Sequence, residues 1–142
     1  MPDSVDVSID IHAPASEVWA ALTLPDLVKR YMMGATIDTD WKVGHPITWS
    51  GEWQGKPYQD KGVVKAVTPE RLLSVTHWSP LSPLADTPEN YHTVTYELRP
   101  VGSATRVTLT QENLTGATAE QSRKNWQPVL DGLKQTAEGV HS

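Results

Sequence analysis

Val5, Val7, Ile9 and Ile11 alternate with Asp6, Ser8, Asp10 and His12, the two-residue period of a half-buried strand. The period then changes. Pro14 suits a first helical turn, Glu17 sits near the positive helix end, and Val18, Trp19 and Leu22 give a short apolar face. A second start follows, with Thr23 as a cap before Pro25 and Asp26, Leu27, Val28, Tyr31 and Met32 on one face, and Gly34 as the stop. From Ala35 to Glu112 alternating stretches separated by turn residues read as an antiparallel meander. Its strands are expected near Thr36 to Trp41, His45 to Trp53, Tyr58 to Thr68, Leu72 to Trp78, Tyr91 to Arg99 and Thr105 to Glu112. Pro80, Pro83 and Pro88 make Ser79 to Asn90 a long loop, a candidate lid or a plain connection. The last element is a helix from Ala119 to Gly139, with Trp126, Leu130, Leu133, Ala137 and Val140 three and four residues apart. Pro128 should kink it or mark where its packed part begins.

Strand register adds a site. If Trp53 faces Tyr58 across a Gln54 to Pro57 turn, Gly51 faces Asp60, Trp49 faces Gly62 and Ile47 faces Val64. The next turns put Ala66 opposite Leu73, Val64 opposite Val75, His77 opposite His92 and Leu73 opposite Tyr96. One face then carries Thr and Ser with Glu52, Lys61 and Lys65, apart from Trp78 and Val63. The other holds Trp49, Trp53, Tyr58, Tyr96, Asp60, His77, His92 and Gln111, with Gly51 and Gly62 leaving room. Apolar walls with a few convergent polar groups describe a ligand cavity. Met32 and Trp126 are expected to complete it, a flexible thioether suiting a wall that adapts to its guest. The candidate ligand-binding set is therefore Met32, Trp49, Trp53, Asp60, His77, His92, Tyr96, Gln111 and Trp126.

Composition narrows the function. The 142 residues fit one domain, 1–142, and 12 Lys+Arg against 17 Asp+Glu lack the basic footprint of a nucleic-acid binder. No apolar run is long enough to span a membrane and no signal stretch opens the chain, so a cytoplasmic location is expected. Cysteine is absent, which removes disulfides, thiolate metal sites and cysteine nucleophiles. Six Trp and four Tyr with no Phe suggest large aromatic surfaces. Asp60, His77 and His92 lack a zinc-type spacing, and no glycine-rich phosphate loop or G-x-S-x-G elbow occurs, so neither metal nor cofactor is expected.

Three segments together carry a resemblance. The opening V-x-I-x-I-x-A-P-x-x-x-V-W-x-A-L-T-x-P-x-L (Val7 to Leu27), G-V-V-K-A-V-T-P-E-R-L-L (Gly62 to Leu73) and N-W-Q-P-V-L-D-G-L-K (Asn125 to Lys134) resemble the START-like, helix-grip superfamily. Within it they are similar to the group related to the C-terminal domain of the heat-shock-protein-90 ATPase activator. The resemblance implies an α+β fold, a curved seven-stranded antiparallel sheet gripping a C-terminal helix, and a cavity for a lipid-like or aromatic molecule. Relatives differ in activity. The leading expectation is a module that carries, sequesters or senses a small apolar or aromatic molecule. The alternative is a cyclase- or hydrolase-type enzyme using Asp60 with His77 and His92, since an imidazole beside a carboxylate can serve as a general base. Chaperone ATPase regulation through the outer sheet face ranks third, because the Pro-rich stretch departs from the family pattern and the co-chaperones' N-terminal domain has no counterpart here. The oligomeric state stays open.

Overall fold

In the computed structural model the chain begins as β1 (Ser4–Ile11), crosses over through α1 (Ala15–Thr23) and α2 (Pro25–Val28), and then lays down a meander. The meander is β2 (Thr36–Asp38), β3 (Pro46–Trp53), β4 (Lys56–Thr68), β5 (Leu72–His77), β6 (His92–Val101) and β7 (Ala104–Glu112), closed by the long helix α3 (Ala119–Gly139). The structure describes residues 4–32, 34–80, 85–112 and 119–139, and only the backbone of Trp53, Pro88 and Ala119.

The seven strands form one antiparallel sheet in the order β1-β7-β6-β5-β4-β3-β2. Sequence neighbours β1 and β2 thus lie on opposite edges. The connection between them must traverse the sheet, and it does so with two short helices; α3 packs against β1 and α1. This is the helix-grip arrangement that the resemblance implies. Ile11, Val18, Ile47, Val64, Leu109, Leu130 and Leu133 are fully buried between sheet and helices, each such side chain adding roughly 1.5–3 kcal/mol of burial. A buried Thr105 hydroxyl donates to the Ala13 carbonyl, 2.8 Å away, and pins the turn from β1 into α1. Among the described residues no helix is long and apolar enough to cross a membrane.

Several local expectations are corrected by particular residues. The β3–β4 turn is the two-residue Gln54-Gly55, both left-handed (φ 53° and 80°), rather than four residues. That turn suits the strand twist of a tight hairpin, and it slides the pairing by two: Gly51 faces Tyr58, Trp49 faces Asp60 and Ile47 faces Gly62. Face parity survives because the slip is even. Val64 still faces Val75, but an irregularity between Val64 and Ala66 puts Ala66 opposite Ser74 and Val67 opposite Leu73. Leu73–Tyr96, Val75–Val94 and His77–His92 pair as expected. β2 stops at Asp38 because Asp40 takes over the backbone: its carboxylate accepts from the Lys42 N–H (2.9 Å) and meets His45 Nδ1 (2.7 Å). Thr23 does not cap α2. Its hydroxyl donates back to the Trp19 carbonyl, and Leu24 is the N-cap. α3 runs through Pro128 as one helix, with Ser122 buried before it and Leu130, Leu133 and Ala137 after it. Val140 lies outside the described residues.

Neither glycine on the inner face leaves room. A Cβ on Gly51 would stand 2.9 Å from the Tyr58 hydroxyl, so the Tyr58 ring fills that space. A Cβ on Gly62 would be 1.7 Å from the Thr76 carbonyl oxygen, so that glycine permits close backbone approach. Of the Pro-rich loop, residues 81–84 are outside the described set. Its remainder is tethered through Asp86, which pairs with Lys61 (2.5 Å) and accepts from the Tyr91 hydroxyl (2.6 Å). The outlying Trp78 stacks on Tyr91 beneath the Lys61 ammonium.

Candidate functional site

Because strand side chains alternate, the inner face of the sheet presents Ile37 from β2, Ile47 and Trp49 from β3, Tyr58 and Asp60 from β4, His77 from β5 and Tyr96 from β6. These form one wall of a cavity of about 300 Å³. Opposite stand Leu22, Val28, Tyr31 and Met32 from the first helical pair, Trp41 from the following loop, and Asn125, Trp126 and Val129 from α3. Three tryptophans and three tyrosines thus surround one space of small-molecule size.

The ionisable pair of the lining, Asp60 and His77, lies on the sheet side. His77 Nε2 and Asp60 Oδ2 are 2.8 Å apart, and the Asp60 side chain is 16% exposed. The Trp49 indole meets the His77 ring edge-on, centroids 5.1 Å apart, and Trp49 is the direct cross-strand partner of Asp60. The other Asp60 oxygen, Oδ1, is buried with no hydrogen-bond partner among the described residues. Burial, and then the neighbouring Asp60 charge, push the Tyr58 phenol above its ordinary pKa. Burial raises the Tyr96 phenol well above the usual tyrosine range, and raises Tyr31 likewise with the nearby Tyr96 adding to it. Both stay neutral hydroxyls at ordinary pH.

Three local devices hold the aromatic wall. Trp126 Nε1–H donates to Gln111 Oε1 at 2.7 Å, tying α3 to the inner face of β7. The Tyr31 hydroxyl donates to the Ala21 carbonyl at 2.6 Å, while Gly132 of α3 lies so close that a Cβ there would sit 2.5 Å from Tyr31 Cβ. Trp41 has a left-handed backbone (φ 59°), rare for a bulky residue, and its indole N–H reaches the Thr23 carbonyl at 3.3 Å.

Of the residues singled out from sequence, Met32, Trp49, Asp60, His77, Tyr96 and Trp126 line the cavity. Gln111 stands one shell back as the acceptor for Trp126. His92 pairs with His77 across β5 and β6 but is outside the lining, at the first residue of its strand. The Trp53 side chain lies outside the described residues. Tyr31 and Trp41 join the wall without having been singled out, and Tyr58, placed on the inner face by strand parity, joins it from outside the candidate set. Tyr31 and Tyr58 had a signal, a shared helical face with Met32 and the parity of β4. Trp41 had none, because an isolated left-handed residue leaves no periodicity. Among the described residues no three His, Asp or Glu side chains converge as a metal site.

Comparison with known proteins places this architecture. A protein of known solution structure from Cytophaga hutchinsonii is 41% identical, with 98% of this chain and 97% of that one covered and a TM-score of 0.81. A crystal structure from Mesorhizobium loti is 26% identical, covers 94% and 95% of the two chains and has a TM-score of 0.73. The solution structure of the Aha1 dimer from Colwellia psychrerythraea, 22% identical over 95% and 96% of the chains with a TM-score of 0.73, shares the fold. No curated protein matches the chain. Residues 12–138 match the family described as Activator of Hsp90 ATPase homolog 1-like protein, and the chain belongs to that family.

Proposed function

We propose that this protein binds a compact apolar or aromatic molecule between its sheet and α3, as a carrier, sequestering or sensing module. The observation that carries the reading is the aromatic enclosure itself: six Trp and Tyr side chains around about 300 Å³, with few polar groups among them. A volume at the lower end of small-molecule sites suits one or two fused rings. Native mass spectrometry of the purified protein, followed by calorimetric titration with small naphthalene derivatives, tests it. Saturable one-to-one binding that Trp49→Ala weakens supports the reading; no binding across the set overturns it.

The Asp60–His77 contact at 2.8 Å favours a second reading. A carboxylate-oriented imidazole beside a bound carbonyl compound can remove a proton, the chemistry of a cyclase. Turnover of a polyketide-like or ester substrate, lost in both Asp60→Asn and His77→Ala, would establish it.

A further inference from the structure

The cavity wall is chemically one-sided. Among the described residues that line it there is no lysine or arginine, and Asp60 is its one carboxylate. Among the described residues that carboxylate makes one hydrogen bond, to His77, although two oxygens can accept about four. Its Oδ1 is buried without a partner among the described residues, so the carboxylate is poorly neutralised by the protein and favours a hydrogen-bond donor or a positive charge beside its exposed part. The faces of aromatic rings such as those in the lining favour a positive charge over a negative one.

We infer that the guest carries an N–H or O–H donor on its aromatic body, directed at Asp60, and carries no carboxylate, sulfonate or phosphate. This rests on the binding reading above and adds the ligand class to it. Acidic lipids and aromatic acids would bring an anion against Asp60 with no lysine or arginine among the described lining residues to offset it. A neutral alcohol, phenol or amide, or a protonated amine, brings a donor to that carboxylate instead. His77 narrows the approach. It already bonds Oδ2 at 2.8 Å, so the guest's donor must share the carboxylate with the imidazole.

A matched series on the unmodified protein tests this: 1-ethylnaphthalene, 1-naphthylmethanol, 1-naphthylmethylammonium and 1-naphthoate, titrated calorimetrically at neutral pH. The alcohol and the ammonium should bind about tenfold or more tightly than the hydrocarbon, as one gained buried hydrogen bond implies, and the carboxylate should bind most weakly of the four. In Asp60→Asn the gap between ammonium and carboxylate should shrink to within a few fold. Equal affinities across the series, or a preference for 1-naphthoate, would overturn the inference and leave the cavity-binding reading intact. Failure of all four to bind would overturn both. The series needs no variant, so a poorly folded Asp60→Asn protein would not remove the test.

Discussion

Gly132→Ala should destabilise the protein even though it replaces glycine by the best helix former. In an exposed helix interior the exchange gains about 1 kcal/mol. Here the new Cβ would stand 2.5 Å from Tyr31 Cβ, with Tyr31 Cα at 3.5 Å. Carbon atoms at contact sit about 3.5–4.0 Å apart, so α3 or Tyr31 must retreat by roughly 1 Å or more. The clash is with atoms at the root of the side chain, which no rotamer change relieves, and Tyr31 is also fixed at its far end through the Ala21 carbonyl. Overpacking of this kind costs about 1–3 kcal/mol. The upper part of that range exceeds the helical gain and leaves a net loss of about 1–2 kcal/mol. With a urea slope of about 2 kcal/mol/M the midpoint should fall by roughly 0.5–1 M. Gly139→Ala, in the same helix with nothing within 4 Å of its new Cβ, is the control and should be neutral or slightly stabilising. Because Tyr31 lines the cavity, Gly132→Ala should also weaken probe binding. If Gly132→Ala raised the midpoint as Gly139→Ala does, the close approach of α3 to Tyr31 would be refuted.

Trp126→Ala should weaken naphthalene-probe affinity more than it weakens the fold, whereas Leu133→Ala, fully buried, should cost roughly 2–5 kcal/mol of stability with little change in affinity of the folded protein; equal effects in both by calorimetry and urea melts would mean plain core. Tyr31 and Tyr96 hold their protons when folded and release them near pH 10 when unfolded. Above about pH 10 the unfolded state therefore binds fewer protons and stability falls as pH rises. Urea midpoints between pH 9 and 11.5 should show that slope, and Tyr96→Phe should flatten it. Gln54→Asn should stabilise the β3–β4 hairpin by up to about 1 kcal/mol, because Asn tolerates the left-handed backbone better than Gln; an unchanged or lowered thermal midpoint would argue against the tight turn.

The fold was legible because the two-residue period survives errors in pairing. Placing the β3–β4 turn over four residues slid the ladder by two positions, yet Trp49 and Asp60 stayed on the inner face, and the even slip made them direct partners. What the alternation could not convey was where the backbone leaves regular geometry. Gln54 carries no turn signature of its own, so a two-residue turn was hidden beside Pro57, which lies within β4. Gly51 and Gly62 looked like vacancies in one dimension. In three dimensions the Tyr58 ring and the Thr76 carbonyl occupy those places. Trp41 reaches the cavity through a left-handed residue held by a loop, information that resides in the Asp40 contacts rather than in any spacing. His92 shares the inward parity of Val94 and Tyr96 but opens its strand beyond the rim. Parity assigns a face to a side chain; where the cavity ends along that face is set by the elements packed over it.

The central claim is that the space between the sheet and α3 takes up a small aromatic guest, and the indole N–H resonances of the tryptophans report on it directly. Trp41, Trp49 and Trp126 line the cavity, Trp19 packs against the core, and Trp78 stacks with Tyr91 outside it. Titration of ¹⁵N-labelled protein with 1-naphthylmethanol should shift the Trp41, Trp49 and Trp126 indole signals saturably along one binding curve, with Trp19 and Trp78 little changed. Shifts confined to Trp78, or no saturable shift at any indole up to the solubility of the probe, would contradict the account.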